Sequence, residues 1–125
     1  MQAYLVVFLG AGLGGAMRHW MNVATLAIFG PGFPFGTMIV NIAGSFAMGL
    51  FAGGFALKSD PGSAWRLFLA TGVLGGFTTF SAFSLEAAML FERGSHWAGV
   101  AYVLLSVLLS IVALFAGLAL ARQLA

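Results

Sequence analysis

Apolar residues gather along the chain into four long blocks, separated by short clusters of glycine, proline and charge. The first block runs from about Ala3 to Phe29 and stops at Gly30-Pro31-Gly32-Phe33-Pro34. The second runs from about Phe35 to Leu57, ahead of the polar turn Lys58-Ser59-Asp60-Pro61-Gly62-Ser63. The third covers about Ala64 to Phe91 and gives way to Glu92-Arg93-Gly94-Ser95-His96; the fourth runs from about Trp97 to Ala121. A spanning helix needs about 20 mostly apolar residues, and proline and glycine punctuate such runs. Each block therefore predicts one membrane helix, with Trp97 placed for the interfacial aromatic belt.

The third block contains a stretch that makes a poor helix, Gly75-Gly76-Phe77-Thr78-Thr79-Phe80-Ser81-Ala82-Phe83-Ser84. Its glycines favour non-helical dihedrals, and its threonine hydroxyls compete for backbone groups. A break within Gly75–Thr79 is expected. In hydrocarbon the freed N–H and C=O groups must bind a neighbouring helix, water or an ion. The alternative is a glycine-rich packing contact between helices. Past the break, Phe80, Phe83 and Glu86 advance in steps of three along a resumed helix.

Polar positions inside the blocks fall into two tracks. Thr37, Asn41 and Ser45 stand at i, i+4 and i+8 of the second block; Tyr102, Ser106 and Ser110 repeat that spacing in the fourth. Residues so spaced share one helix face, and two such faces point to a lined path. Gly49 and Gly53 continue the first track as small residues for close packing. Gly10-Ala11-Gly12-Leu13-Gly14-Gly15 matches the dinucleotide-binding pattern in form alone, because that pattern needs a preceding strand; Gly10 and Gly14 read as a helix-packing face. Arg18 either snorkels to the interface or lines an aqueous vestibule that attracts anions. Glu86 is either a functional intramembrane carboxylate or, being near Glu92, a residue close to the headgroups.

Composition narrows the class. Of 125 residues, 62% are hydrophobic and 6% charged, and mean hydropathy is +1.07. A soluble domain carries roughly 25% charged residues, so this surface is made for lipid. A net charge of +2 without a basic stripe argues against nucleic acid. Cysteine is absent, and no signal-peptide pattern opens the chain. Four spans would put Lys58, Arg66 and Arg122 on one side, against Arg93 and at most Arg18 on the other. That balance leaves almost no positive-inside preference. The expected assembly is an antiparallel dual-topology homodimer with its two-fold axis in the membrane plane.

No residues make a catalytic set, a zinc cluster or a phosphate loop, so no enzyme is expected. The chemistry on offer is hydroxyls, one amide and two phenyl rings. Ring edges are electropositive and can receive a small anion that has shed water, while Asn41 donates N–H. The carbonyls near Gly75 through Thr78, doubled about a two-fold axis, would make a structural cation site.

Over essentially its whole length the chain resembles the Fluc (CrcB) family of small microbial fluoride channels. The resemblance rests on Gly14-Gly15-Ala16 with Arg18, on Gly36-Thr37, Val40-Asn41 and Gly44-Ser45-Phe46, and on Gly75 through Ser81 with Phe83. It implies an antiparallel homodimer with two pores in the inner (plasma) membrane, passing fluoride out passively and so relieving its toxicity. It implies that Phe80 and Phe83 contact fluoride beside Asn41, with Thr37, Ser81 and the track Tyr102, Ser106 and Ser110 as further lining. Gly75 and Thr78 would give carbonyls to a central structural sodium ion. Ala82 stands where the family commonly has a hydroxyl residue. The other reading weighed, a small four-helix multidrug or cation exporter, needs a carboxylate in the first span, and there is none. A purely structural subunit would not need two polar tracks and a broken helix.

Overall fold

A computed structural model describes residues 1–54 and 63–124. The expected end of the second block at Leu57 and all of the polar turn but Ser63 lie outside the described residues. The fold is all-helical, with no strand among the described residues.

Helix α1 covers Gln2–Phe29. It ends at Gly30, whose φ of 80° is left-handed backbone suited to glycine, and whose N–H returns to the Leu26 carbonyl at 2.9 Å. Helix α2 is Phe35–Gly54, starting just after Pro34. The helical run 64–77, labelled α3, joins a short turn Ala64–Arg66, a π-helical segment Leu67–Leu74 and a last turn Gly75–Phe77. Helix α4 is Ser81–Glu92 and α5 is His96–Leu124.

Between α3 and α4 helical form lapses over Thr78, Thr79 and Phe80. Thr78 is extended, at φ −87° and ψ 159°. The lapse falls after the glycines expected to cause it. Gly75 and Gly76 are both helical, and at Gly76 the lack of a side chain serves packing: a Cβ there would strike the Ala11 backbone of α1. The threonines, whose side chains compete for the backbone, carry the interruption.

Two close helix pairs build the chain. α1 lies along α3, and α2 lies along α5. In the first, a Cβ on Gly14 would collide with the Val73 carbonyl, so Gly10 and Gly14 are the packing face their spacing indicates. In the second, Gly49 meets the Leu114 carbonyl in the same way. Backbones this close are the device of helix association in lipid. α4 packs on α5, and a small core forms from Met38, Phe83, Ala87, Leu90 and Tyr102.

Three stretches are long and apolar enough to cross a membrane among the described residues: Phe35–Gly54, Ala64–Glu92 and His96–Leu124. α1 has the length, 28 residues, but is not one of the three; Arg18, His19 and Asn22 dilute its apolar run. Leu104, Leu108, Ile111, Val112 and Phe115 are all more than half exposed round α5. Such a face is stable in hydrocarbon, and the chain is a multi-pass membrane protein.

Candidate functional site

The interruption between α3 and α4 needs partners for its backbone, and four side chains and one backbone amide supply them. Asn41, from the middle of α2, clamps Thr79 twice. Its Nδ2 donates to the Thr79 carbonyl at 2.9 Å, and its Oδ1 accepts from the Thr79 N–H at 2.8 Å. Arg18, from α1, donates through Nε to the Gly76 carbonyl at 3.1 Å. The Leu74 carbonyl accepts from the Thr78 N–H at 3.1 Å and from its hydroxyl at 3.0 Å. Thr79 Oγ1 then accepts from the Ala82 N–H at 3.2 Å, satisfying one orphan donor in the first turn of α4. Ala82, with no side-chain hydroxyl of its own, thus takes part through its backbone.

A cleft of about 450 Å³ opens beside this knot. The end of α3 gives it Gly75 and the break gives Thr78, Thr79 and Phe80; α4 gives Phe83; α2 gives Asn41 and Ser45; α5 gives Ser106 and Ser110. The rings of Phe80 and Phe83 stand 5.5 Å apart at 47°, so an edge of each can point the same way. The Ser106 and Ser110 hydroxyls are buried and have no hydrogen-bond partner among the described residues. An unpartnered buried hydroxyl is costly and available to a ligand. Among the described residues, no fixed charge lines the cleft.

A second group forms around Glu86. Thr37 Oγ1 donates to its Oε1 at 2.8 Å and the Tyr102 hydroxyl to its Oε2 at 3.0 Å. Thr37 and Glu86 line a separate cavity of about 280 Å³ with Asn22, Thr25 and residues of the α1–α2 loop.

A sequence profile described as "CrcB-like protein, Camphor Resistance (CrcB)" matches residues 5–118. The chain belongs to the CrcB family. Three relatives carry the name fluoride-specific ion channel. The protein of Methylobacterium nodulans is 60% identical over 119 residues, 95% of each chain. That of Nitrobacter hamburgensis is 53% identical over 97% of this chain and 98% of its own. That of Rhodopseudomonas palustris is 55% identical over 95% of this chain and 96% of its own.

In this CrcB-family chain the cleft brings together eight of the residues singled out from sequence: Asn41, Ser45, Gly75, Thr78, Phe80, Phe83, Ser106 and Ser110. It does not include Thr37, Tyr102, Glu86, Arg18 or Ser81. Thr37 and Tyr102 turn to Glu86; Ser81 is exposed at the start of α4, its hydroxyl 3.4 Å from that of Thr79. Arg18 is half-buried, and its Nε is engaged by the Gly76 carbonyl at the end of α3. Sequence reasoning missed Thr79, the residue Asn41 holds. The signal was there, since Asn41 is the one amide of α2 and the broken stretch the segment most in need of it. Gly44, against Thr78, and the apolar liners Met48 and Leu114 carry no comparable signal.

Proposed function

We propose that this chain is a fluoride-selective channel that lets fluoride leave the cytoplasm passively and so limits its toxicity. The observation that carries the reading is the cleft. It offers ring edges and two unpartnered hydroxyls to a small anion, beside Asn41, with no fixed charge to trap it. The names of its relatives support fluoride as that anion. Fluoride holds water tightly, so a path must replace that water with several donors at once. Ser106 and Ser110 hydroxyls and the second Nδ2–H of Asn41 are the strong ones; Phe80 and Phe83 edges are weaker and suit a mostly dry constriction.

In this reading α1 also crosses the inner membrane, giving four spans with the third broken at depth. Two chains pair antiparallel. Phe80 is 76% exposed in the single chain, which supports a second copy covering it. A structural sodium ion on the pair's axis fits the donors at hand. The Leu74, Gly76 and Thr79 carbonyls are engaged by Thr78, Arg18 and Asn41. Gly75 and Thr78 remain to hold a hard cation with neutral oxygens. No group of three or more His, Cys, Asp or Glu gathers for a metal among the described residues. The ion, when bound, supplies charge that offsets carbonyls otherwise costly at that depth.

The test is efflux from liposomes followed with a fluoride electrode. The Ser106→Ala/Ser110→Ala double variant is expected to lose most of its flux while remaining assembled; undiminished flux would remove the serines from the path.

A further inference from the structure

Tyr102 is wholly buried, and its hydroxyl proton points at a carboxylate rather than into the cleft. Thr37, 2% exposed, gives its hydroxyl proton to the other oxygen of the same carboxylate. A hydroxyl has one proton to donate, so neither residue has one left for an anion while these bonds stand. The carboxylate itself would repel an anion. Yet the Tyr102 ring lies against Phe83, with centroids 5.2 Å apart and planes at 38°. On its other side it meets Phe33 edge-on, at 5.5 Å and 88°. Phe83 and Glu86 are three positions apart on α4, so ring and carboxylate grip Tyr102 from one helix face.

We infer that Glu86 is a positioning residue: by holding the Tyr102 hydroxyl it fixes the Tyr102 ring, and that ring sets the edge that Phe83 presents to the cleft. Thr37 completes the arrangement by orienting the carboxylate. Three helices are tied at one point, since Thr37 comes from α2, Glu86 from α4 and Tyr102 from α5. Tyr102 therefore acts through its ring, and the hydroxyl track that meets the ion begins at Ser106. The inference rests on the fluoride reading for its consequence, but its geometric part stands alone.

Para-fluorophenylalanine in place of Phe83 gives a ¹⁹F signal that reports that ring directly. In the labelled dimer, Glu86→Gln and Tyr102→Phe are each expected to shift or broaden the signal. In unlabelled protein each should lower fluoride efflux about tenfold, the scale of one hydrogen bond to a charged group. The double variant should lose little more than either single one, because both break the same link. An unchanged ¹⁹F signal in both variants would overturn the inference. So would full efflux in Glu86→Gln with loss in Tyr102→Phe, the pattern expected if the freed hydroxyl serves the ion itself. Should Glu86→Gln fail to assemble, Thr37→Val removes one donor to the same carboxylate and should move the signal in the same direction. Wild-type protein that passes no fluoride would count against the proposed function, and the ¹⁹F signal would still decide the role of Glu86.

Discussion

Asn41→Ala removes both bonds to Thr79 at once. The Thr79 N–H and C=O, paired at 2.8 and 2.9 Å, lose their partner in a part of the chain with no helical bond to fall back on. Stranding a buried polar group costs about 1–3 kcal/mol, so two stranded groups cost about 2–6 kcal/mol. Thr79 borders a cleft that water can enter. Partial rehydration puts the expected loss at the lower end, about 2–3 kcal/mol. Denaturant titration in micelles, followed by tryptophan fluorescence, measures it. Asn41→Asp separates the two halves of the clamp. Its carboxylate can still accept from the Thr79 N–H but cannot donate to the carbonyl, so about half the loss is expected. Fluoride flux should nonetheless fall as far as in Asn41→Ala or further, since a negative charge then stands beside the path. An Asn41→Ala protein as stable as wild type within about 0.5 kcal/mol, with full flux, would refute the clamp.

Three further outcomes follow from the same geometry. Phe80→Ile and Phe83→Ile keep bulk but lose the ring edge, so each should cut efflux severely in protein that still elutes as a dimer; unchanged flux in both would make the rings mere packing. Gly49→Val places side-chain carbons against the Leu114 carbonyl, where backbone cannot yield, and should destabilise by about 3 kcal/mol, the upper part of the overpacking range. Cysteine added at the C-terminus should react with an impermeant reagent from both faces of the membrane, and labelling from one face alone would exclude dual topology.

The starts of α2 and α5 and the end of α1 fall where glycine, proline and charge mark them. Gly30 turns the chain where expected, and Gly10 and Gly14 pack where their spacing directs. Asn41, Phe80 and Phe83 were legible as a group because little else in the apolar blocks can meet an ion. The π-helical segment Leu67–Leu74 was not legible, since its residues are those of any apolar helix. The expected window Gly75–Thr79 holds Thr78 and Thr79, but its glycines stay helical, for a related reason. A glycine reads as a breaker when the helix it must approach is unknown, and Gly76 is set by Ala11, far away in sequence. The partners of Arg18 and Glu86 are likewise long-range. Arg18 reaches Gly76 across 58 positions and Thr37 reaches Glu86 across 49, and no local periodicity encodes such pairs.

Passive conduction of fluoride in preference to chloride is the activity proposed for the cleft. Purified protein in liposomes loaded with both salts, with no nucleotide and no proton gradient, measures it. Fast fluoride efflux is expected, with no chloride efflux above that of empty vesicles. Equal efflux of the two anions, or fluoride movement only when a proton gradient is imposed, would contradict it.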